Sequence, residues 1–108
     1  MIVTFDKEYL AELYHNGKCN DKKHRYQPDI IKRYRLRIDM LYAASCIEAL
    51  YRIHSLNYEV LSGSKAGISS IRVNDQYRIE FIVSYEENGA KEKVTICNIT
   101  DLSNHYKS

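Results

Sequence analysis

Apolar and polar residues alternate on both sides of a short polar turn in residues 69–81, and this pattern limits the folds open to the chain. Successive side chains of a strand point to opposite faces, so residues an even number apart share a face. A three-residue connection at 74–76, or a shorter turn with a bulge, places Arg72 opposite Arg78, whereas a strict two-residue turn would mix the faces. The pattern therefore predicts a hairpin with both arginines on one face. The other face would carry Ile71, Val73, Tyr77, Ile79 and Phe81.

Two guanidinium groups on one sheet face are suited to binding a phosphate, because each offers a planar fork of hydrogen-bond donors. Arg72 and Arg78 therefore predict a site for RNA or phosphoryl chemistry. The alternative is a solvated sheet face that carries two cations. Lys65, in the glycine-bounded loop that precedes the hairpin, is a third candidate, and its alternative is a solvated loop lysine.

The basic residues are concentrated in one segment. Residues 18–37 carry eight lysines and arginines against two aspartates, although the whole chain has a formal net charge of only +2. Such asymmetry favours a polyanionic partner on one side of the molecule; an acidic peptide or a solvated helix face would also explain it. The candidate contacts to a nucleic-acid backbone are Lys22, Lys23, Arg25, Lys32, Arg33, Arg35 and Arg37.

Length and composition exclude several classes of protein. The 108 residues predict a single domain, 1–108, and no apolar run approaches the roughly 18 residues of a membrane span. The N-terminus has no signal-peptide pattern, which predicts a cytoplasmic protein. Three cysteines without a CxxC spacing predict free thiols, and Cys97 reads as a core residue. The histidines form no ligand pattern, so neither a metal nor another cofactor is expected.

Local signals outline three helices. Asp6 is placed to cap the first helix and Gly17 to end it. Pro28 is tolerated in a first helical turn and precedes apolar residues at spacings of three and four, which predicts a longer second helix. Residues 45–48 match a capping box, which predicts a short third helix ending near Arg52.

Strands account for most of the remaining chain. Residues 2–5 and 57–61 predict short strands, 86–89 a turn, and 93–99, which are apolar on both faces, a central strand. A polar tail would follow at 101–108. The order predicts an α+β fold in which an N-terminal helical hairpin packs on one face of a small antiparallel β-sheet.

Together these motifs resemble the RelE/ParE toxin superfamily, and within it the HigB-like branch, also called plasmid maintenance system killer proteins. The resemblance covers essentially the whole chain and implies the RelE-like fold. Its motifs are the helical hairpin, the loop Leu61-x-Gly63-x-Lys65-x-Gly67, the segments Ser70-Ile71-Arg72-Val73-Asn74 and Tyr77-Arg78-Ile79, and the tail Asn104-His105-Tyr106.

The resemblance implies the toxin of a type II toxin–antitoxin system. Such a toxin enters the ribosomal A site and cuts mRNA without a metal, as a translation-inhibiting mRNA interferase. The implied partners are the ribosome, mRNA, a HigA-like helix-turn-helix antitoxin, and operator DNA bound through the antitoxin complex. In this interpretation the basic segment contacts the ribosomal RNA backbone.

The resemblance also assigns candidate roles. The phosphate-binding arginines of the family correspond to Arg72 and Arg78, with Lys65 as a third cation, because fixed cations stabilise the charge that gathers on the reacting phosphate. The C-terminal histidine of the family aligns with His105, and an imidazole suits either proton transfer.

Two positions depart from the family pattern. The HigB tail typically ends Asp-Tyr-His, but here Ser103 and Asn104 precede the histidine. Tyr106 follows it, as the candidate to stack on a base or donate a hydrogen bond. Some members carry a histidine where this chain has Glu59, which is therefore a candidate general base, or else an ion-pair partner of one of the two arginines.

Two other functions remain open at this stage. A ParE-like toxin would poison DNA gyrase by binding, without nuclease activity. A non-catalytic protein would only bind the antitoxin and take part in autoregulation. An essential His105 would argue against the gyrase poison, and a growth assay with and without the antitoxin would separate the non-catalytic protein from both toxins.

Overall fold

The computed structural model describes residues 1–89 and 92–104, and this part of the chain contains three α-helices. Pro28 begins the second helix, as predicted, because its fixed φ suits the first turn and its missing amide donor is not needed there. The first helix ends as predicted at Gly17, whose φ of 73° lets its amide reach the Leu13 carbonyl. The bounds are Glu8–Asn16 for α1, Pro28–Ala43 for α2 and Glu48–Tyr51 for α3.

Both predicted side-chain caps are wrong. Helix α1 is preceded by Lys7, not capped by Asp6, because the Asp6 amide still bonds the Ile99 carbonyl at the edge of the sheet (2.8 Å). The capping box before α3 does not form. Ile47 already has helical backbone angles there, and the Ser45 hydroxyl contacts the neighbouring Cys46 thiol instead.

Five strands form one sheet in the order β1-β5-β4-β3-β2. The predicted α+β architecture is confirmed, with one addition. Strand β1 pairs with β5 in parallel, which the long connection between them allows, and the other pairs are antiparallel. The bounds are Ile2–Phe5 for β1, Glu59–Val60 for β2, Ser69–Arg72 for β3, Tyr77–Asn88 for β4 and Glu92–Asn104 for β5.

The predicted hairpin register is confirmed. Arg72 lies opposite Arg78 across a three-residue connection, and the Val73 amide bonds the Tyr77 carbonyl (2.9 Å). Asn74 closes the turn, since its side-chain oxygen accepts the amides of the residues two and three positions later. On the opposite face Ile71, Val73, Ile79 and Phe81 have no exposed surface, and Tyr77 is half-buried.

Strand limits differ from the prediction at three places. Strand β2 is shorter than the predicted 57–61, and β4 continues to Asn88 through most of the predicted turn. The residues 101–104, predicted as the start of a polar tail, extend β5. The backbone pairing between β4 and β5 decides the limits of these two strands, because each added residue satisfies main-chain donors and acceptors whatever its side chain.

The core lies between the helices and one face of the sheet. Leu10, Tyr34, Ile38 and Leu41 have no exposed surface, and the Tyr34 hydroxyl joins α2 to α1 by donating to the Leu10 carbonyl (2.7 Å). Within residues 1–89 and 92–104, no helix is long and apolar enough to cross a membrane.

Cys97 is a buried core residue, as predicted. Burial raises the pKa of its thiol to about 11, and only the thiolate reacts readily, so the thiol is almost entirely in its unreactive form at pH 8. We expect iodoacetamide at pH 8 to modify the half-buried Cys19 and Cys46 in the native protein and to spare Cys97 until urea is added. Peptide mapping measures this, and rapid native labelling of Cys97 would contradict its burial.

Candidate functional site

A cleft lies where the end of β5 meets the start of β4 and the glycine-bounded loop. It consists of two adjoining cavities, of about 490 and 290 Å³, which share Lys65, Ser103 and Asn104 in their walls. Lys23, Arg25, Tyr26 and Tyr77 also line the larger cavity, and Glu59, Arg78 and Glu80 line the smaller one. We call these two cavities the β5 cleft.

Arg78 and Glu59 form an ion pair in the smaller cavity. The Arg78 side chain is only 18 % exposed, whereas the Glu59 carboxylate, at 43 %, is open to solvent. Of the arrangements predicted for Glu59, the structure therefore contains the ion pair, with Arg78. The carboxylate still lies on the cavity wall, where it can accept a proton from a bound substrate if the arginine takes another partner.

Lys65 reaches the same cavity from its loop and bonds Glu80. Its ammonium lies 2.8 and 3.1 Å from the two carboxylate oxygens of Glu80. The Lys65 side chain is half exposed, whereas that of Glu80 is 7 % exposed, so the pair presents the cation to the cleft and hides the anion. The alternative interpretation, a solvated loop lysine, fits the exposure of Lys65 but does not include this ion pair.

Arg72 lies on a neighbouring surface. Its guanidinium pairs with Asp75 of the turn, and its carbonyl accepts the Arg37 side chain from α2 (3.1 Å). Burial lowers the pKa of the Arg37 guanidinium, and the nearby charges of Arg33 and Arg72 lower it further. Arg33, Arg37 and Arg72, which we call the arginine cluster, thus form a crowded cationic surface that an anion would relieve.

The fold distributes the basic segment over several surfaces. Lys23 and Arg25 line the β5 cleft. Lys32 and Arg35 line a separate cavity of about 770 Å³ between α1 and α2, where the Arg35 side chain donates to the Tyr14 carbonyl (2.9 Å). Lys22 is exposed in the connector. Lys32 also lines a cavity with Arg33 and Arg37, so the basic residues of α2 adjoin one another, whereas Lys23 and Arg25 line the β5 cleft.

Sequence reasoning missed several residues of the cleft. Tyr26 donates to the Leu102 carbonyl (2.9 Å), its ring meets Tyr77 edge to face, and burial raises the pKa of its hydroxyl. Ser103 and Asn104 were not predicted as cleft residues, because their polar character indicated a tail and not a strand. The alternation of residues in β4 places Glu80 on the same face as Arg78, but no pattern in the neighbouring sequence indicates that Lys65 would pair with it.

His105 and Tyr106, the two candidate residues of the tail, lie outside the described residues. The described chain ends at Asn104, which pairs with Tyr77 and lines both cavities of the β5 cleft. Within the described ranges, no three histidine, cysteine or acidic side chains are grouped so that they could hold a metal ion.

Comparison with solved structures defines the class of fold. The chain is similar to the YoeB/ParE toxin from Agrobacterium tumefaciens, with a TM-score of 0.53 over 98 % of this chain and 100 % of that chain. The sequences are 17 % identical, so this likeness shows a common fold, that of the RelE/YoeB-like toxins. No curated protein has a significantly similar sequence.

The particular family follows from its sequence model. The model of the RelE-like toxin of the type II toxin–antitoxin system HigB matches residues 3–95, a stretch that includes Glu59, Lys65, Arg72 and Arg78. The chain therefore belongs to the HigB-like toxin family, and the resemblance noted in its sequence is confirmed. As a toxin of a type II system it has an antitoxin as its partner.

Proposed function

We propose that this toxin is a ribosome-dependent endoribonuclease that cuts mRNA and so inhibits translation in the cytoplasm. One observation carries the proposal: two cations, Lys65 and Arg78, and a solvent-accessible carboxylate, Glu59, line the same small cavity of the β5 cleft. Cations for a phosphate and an acceptor for a proton are what metal-free RNA cleavage requires. Ribonuclease activity is also general among HigB-like toxins of the RelE family.

In the proposed reaction the 2′-oxygen of one nucleotide attacks the adjacent phosphorus, and the bond to the 5′-oxygen of the next nucleotide breaks. Negative charge gathers on the non-bridging oxygens in the transition state. Arg78 offers them a fork of donors and Lys65 a mobile ammonium. Since Arg78 is held by Glu59 in the free protein, the phosphate replaces that carboxylate as its partner.

This exchange of partners also prepares Glu59 for its proposed role. A carboxylate released by Arg78 can accept the proton of the 2′-hydroxyl as it attacks. His105, the residue after Asn104 in the sequence, then donates a proton to the leaving 5′-oxygen. Tyr106 is proposed to stack on a neighbouring base or to donate a hydrogen bond, which completes the set of proposed catalytic residues.

The other basic residues are proposed to bind the nucleic-acid backbone. Lys23 and Arg25 extend the β5 cleft, and exposed Lys22 adjoins them in sequence. Arg72, a member of the arginine cluster, lies opposite Arg78 in the hairpin and accepts the Arg37 side chain with its carbonyl. Contacts of this kind give salt-dependent affinity without sequence preference. The proposed contacts to ribosomal RNA are Lys32, Arg33, Arg35 and Arg37.

The proposed partners beyond the ribosome and mRNA follow from the family. The antitoxin is proposed to be a HigA-like helix-turn-helix protein, and the complex of the two to bind operator DNA.

Primer extension on a defined mRNA translated in vitro tests the proposed function. Purified protein is added with ribosomes present or omitted, and cuts within codons are expected only with ribosomes. His105→Ala should slow cutting by about 10²- to 10⁴-fold, because a general acid or base contributes that much. The matched control is His54→Ala, which removes an exposed histidine from a short turn outside the cleft and should cut normally.

One outcome would overturn the proposal, and a second would remove only His105 from it. A folded protein that leaves mRNA intact on translating ribosomes is not such a nuclease, and inhibition of DNA gyrase in a supercoiling assay would then identify the ParE-like alternative. If His105→Ala still cuts mRNA and still inhibits growth, His105 has no role in the mechanism, although the protein is a nuclease.

A further inference from the structure

Glu80 is a carboxylate buried in a cleft that is proposed to bind an anion. Its side chain is 7 % exposed although it points to the same face of β4 as Arg78. A buried charge costs free energy unless it is paired and hydrogen-bonded. An apolar side chain would fill the space without that cost. The reason for a carboxylate at this position must therefore lie in the contacts that Glu80 makes.

Those contacts converge from two other parts of the chain. Oxygen Oε2 of Glu80 accepts the Lys65 ammonium at 2.8 Å and the Ser103 hydroxyl at 2.9 Å, and Oε1 accepts the ammonium at 3.1 Å. Lys65 lies in the loop before β3, and Ser103 lies near the end of β5, where it pairs with Arg78. Glu80 thus joins the loop to the end of β5 through Oε2, and Oε1 adds a second contact with Lys65.

The loop that carries Lys65 has little else to fix the ammonium in space. Residues 62–67 are all exposed, and the backbone bonds of the loop close on the loop itself and its two ends, as in the bond from the Gly67 amide to the Leu61 carbonyl (3.2 Å). A lysine side chain also has four flexible carbons, which leave its charge poorly placed without a partner. The bonds to Glu80 supply that placement.

The geometry leaves the held ammonium available to a ligand. Lys65 is 49 % exposed and lines both cavities of the β5 cleft, whereas Glu80, which lines only the smaller cavity, is 7 % exposed. An ammonium has three donors, and the two contacts with Glu80 leave at least one of them for a phosphate oxygen. A pair arranged in this way fixes a cation without presenting a comparable anion to the substrate.

We propose that Glu80 is a positioning residue, which holds the Lys65 ammonium where the two cavities meet so that it binds an oxygen of the reacting phosphate. The inference rests on the proposed nuclease function and adds a residue to it. Glu80 does not touch the RNA; it acts through Lys65. The cleavage rate is a sensitive measure of this placement, since a small displacement of the ammonium from the phosphate sharply reduces the stabilisation that it provides.

The experiment compares Glu80→Gln, Lys65→Ala and the double variant in single-turnover cleavage on programmed ribosomes. Glu80→Gln keeps the shape and the acceptor for Ser103 but removes the charge that holds Lys65. We expect each single variant to cut about 10-fold more slowly, and the double variant no more slowly than Lys65→Ala, because both changes remove one interaction. The matched control is Glu86→Gln, an exposed glutamate of the same strand, which should cut at the wild-type rate.

Binding separates positioning from a general effect of charge. On ribosomes that carry a 2′-deoxy mRNA, which cannot be cut, Glu80→Gln should bind as tightly as the wild type or more tightly, since it has lost a negative charge. A slower rate with undiminished affinity is the expected result. Losses that multiply in the double variant, or a Glu80→Gln variant that cuts at the wild-type rate or faster, would overturn the inference.

Hydrogen exchange keeps the inference testable apart from the nuclease function. Freed of its tether, the loop should open more often, so the amides of Gly67 and Ile68 should exchange faster in Glu80→Gln and in Lys65→Ala but not in Glu86→Gln. If the wild type does not cut but this pattern is found, the proposed function fails and the tether stands. If the wild type cuts and loop exchange is unchanged in Glu80→Gln, the nuclease stands and the inference fails.

Discussion

Arg78→Ala is expected to slow ribosome-dependent cleavage by about 10²- to 10³-fold, the loss typical of removing one preorganised donor to a developing oxyanion. Arg78 is the largest cation of the smaller cavity, is mostly buried, and has a carboxylate partner that a phosphate can replace. Its removal also leaves Glu59 without the pair. Single-turnover primer extension measures the rate, and circular dichroism confirms that the variant is folded.

Three variants control this result. Arg78→Lys keeps the charge but not the fork of donors, and should recover only part of the rate. Arg72→Ala should cost less, about 10-fold, because that side chain is exposed and tied to the turn. Arg52→Ala removes an exposed arginine at the end of α3 and should have no effect. A rate for Arg78→Ala within a factor of three of the wild type would contradict the proposed role.

Phe81→Ala is expected to destabilise the protein by about 3–5 kcal/mol, the usual cost of truncating a fully buried phenylalanine. The ring has no exposed surface, lies where the register between β4 and β5 shifts, and is close to the Tyr58 ring, with the centroids 6.3 Å apart. Since a small domain is stable by about 5–15 kcal/mol, this loss is a large fraction of the total. Urea denaturation followed by circular dichroism measures it.

Tyr85→Ala is the matched control for this prediction, because Tyr85 lies on the same strand and is 58 % exposed. It should change the free energy of unfolding by less than about 1 kcal/mol. An equal loss in the two variants would contradict burial of the Phe81 ring as the cause of the destabilisation.

Several features of this fold were determined by local sequence. The register of the hairpin follows from parity, because only an odd turn keeps the apolar residues on one face. The start of α2 at Pro28 and the end of α1 at Gly17 follow from the backbone angles that these two residues favour. Such signals are local, so they could be read without knowing what the segment packs against.

Other limits could not be read in this way. Polar residues 101–104 form a strand because β4 offers them backbone partners, and Asp6 remains extended because the Ile99 carbonyl accepts its amide. A capping motif or a polar run describes what a segment favours alone. A partner strand far away in the sequence outweighs that preference, since pairing satisfies main-chain groups along its whole length.

The candidate site shows the same division. The alternation of residues was enough to place Arg72 and Arg78 on one sheet face, and the motifs were enough to group the chain with the RelE-like toxins. The pairing of Arg78 with Glu59 in a cavity, the contact of Arg72 with α2 and the bonds between Glu80 and Lys65 became visible only in the folded chain. Alternation fixes the side of the sheet on which a residue lies. Which loop or helix covers that side depends on contacts between segments distant in sequence, and no local pattern records them.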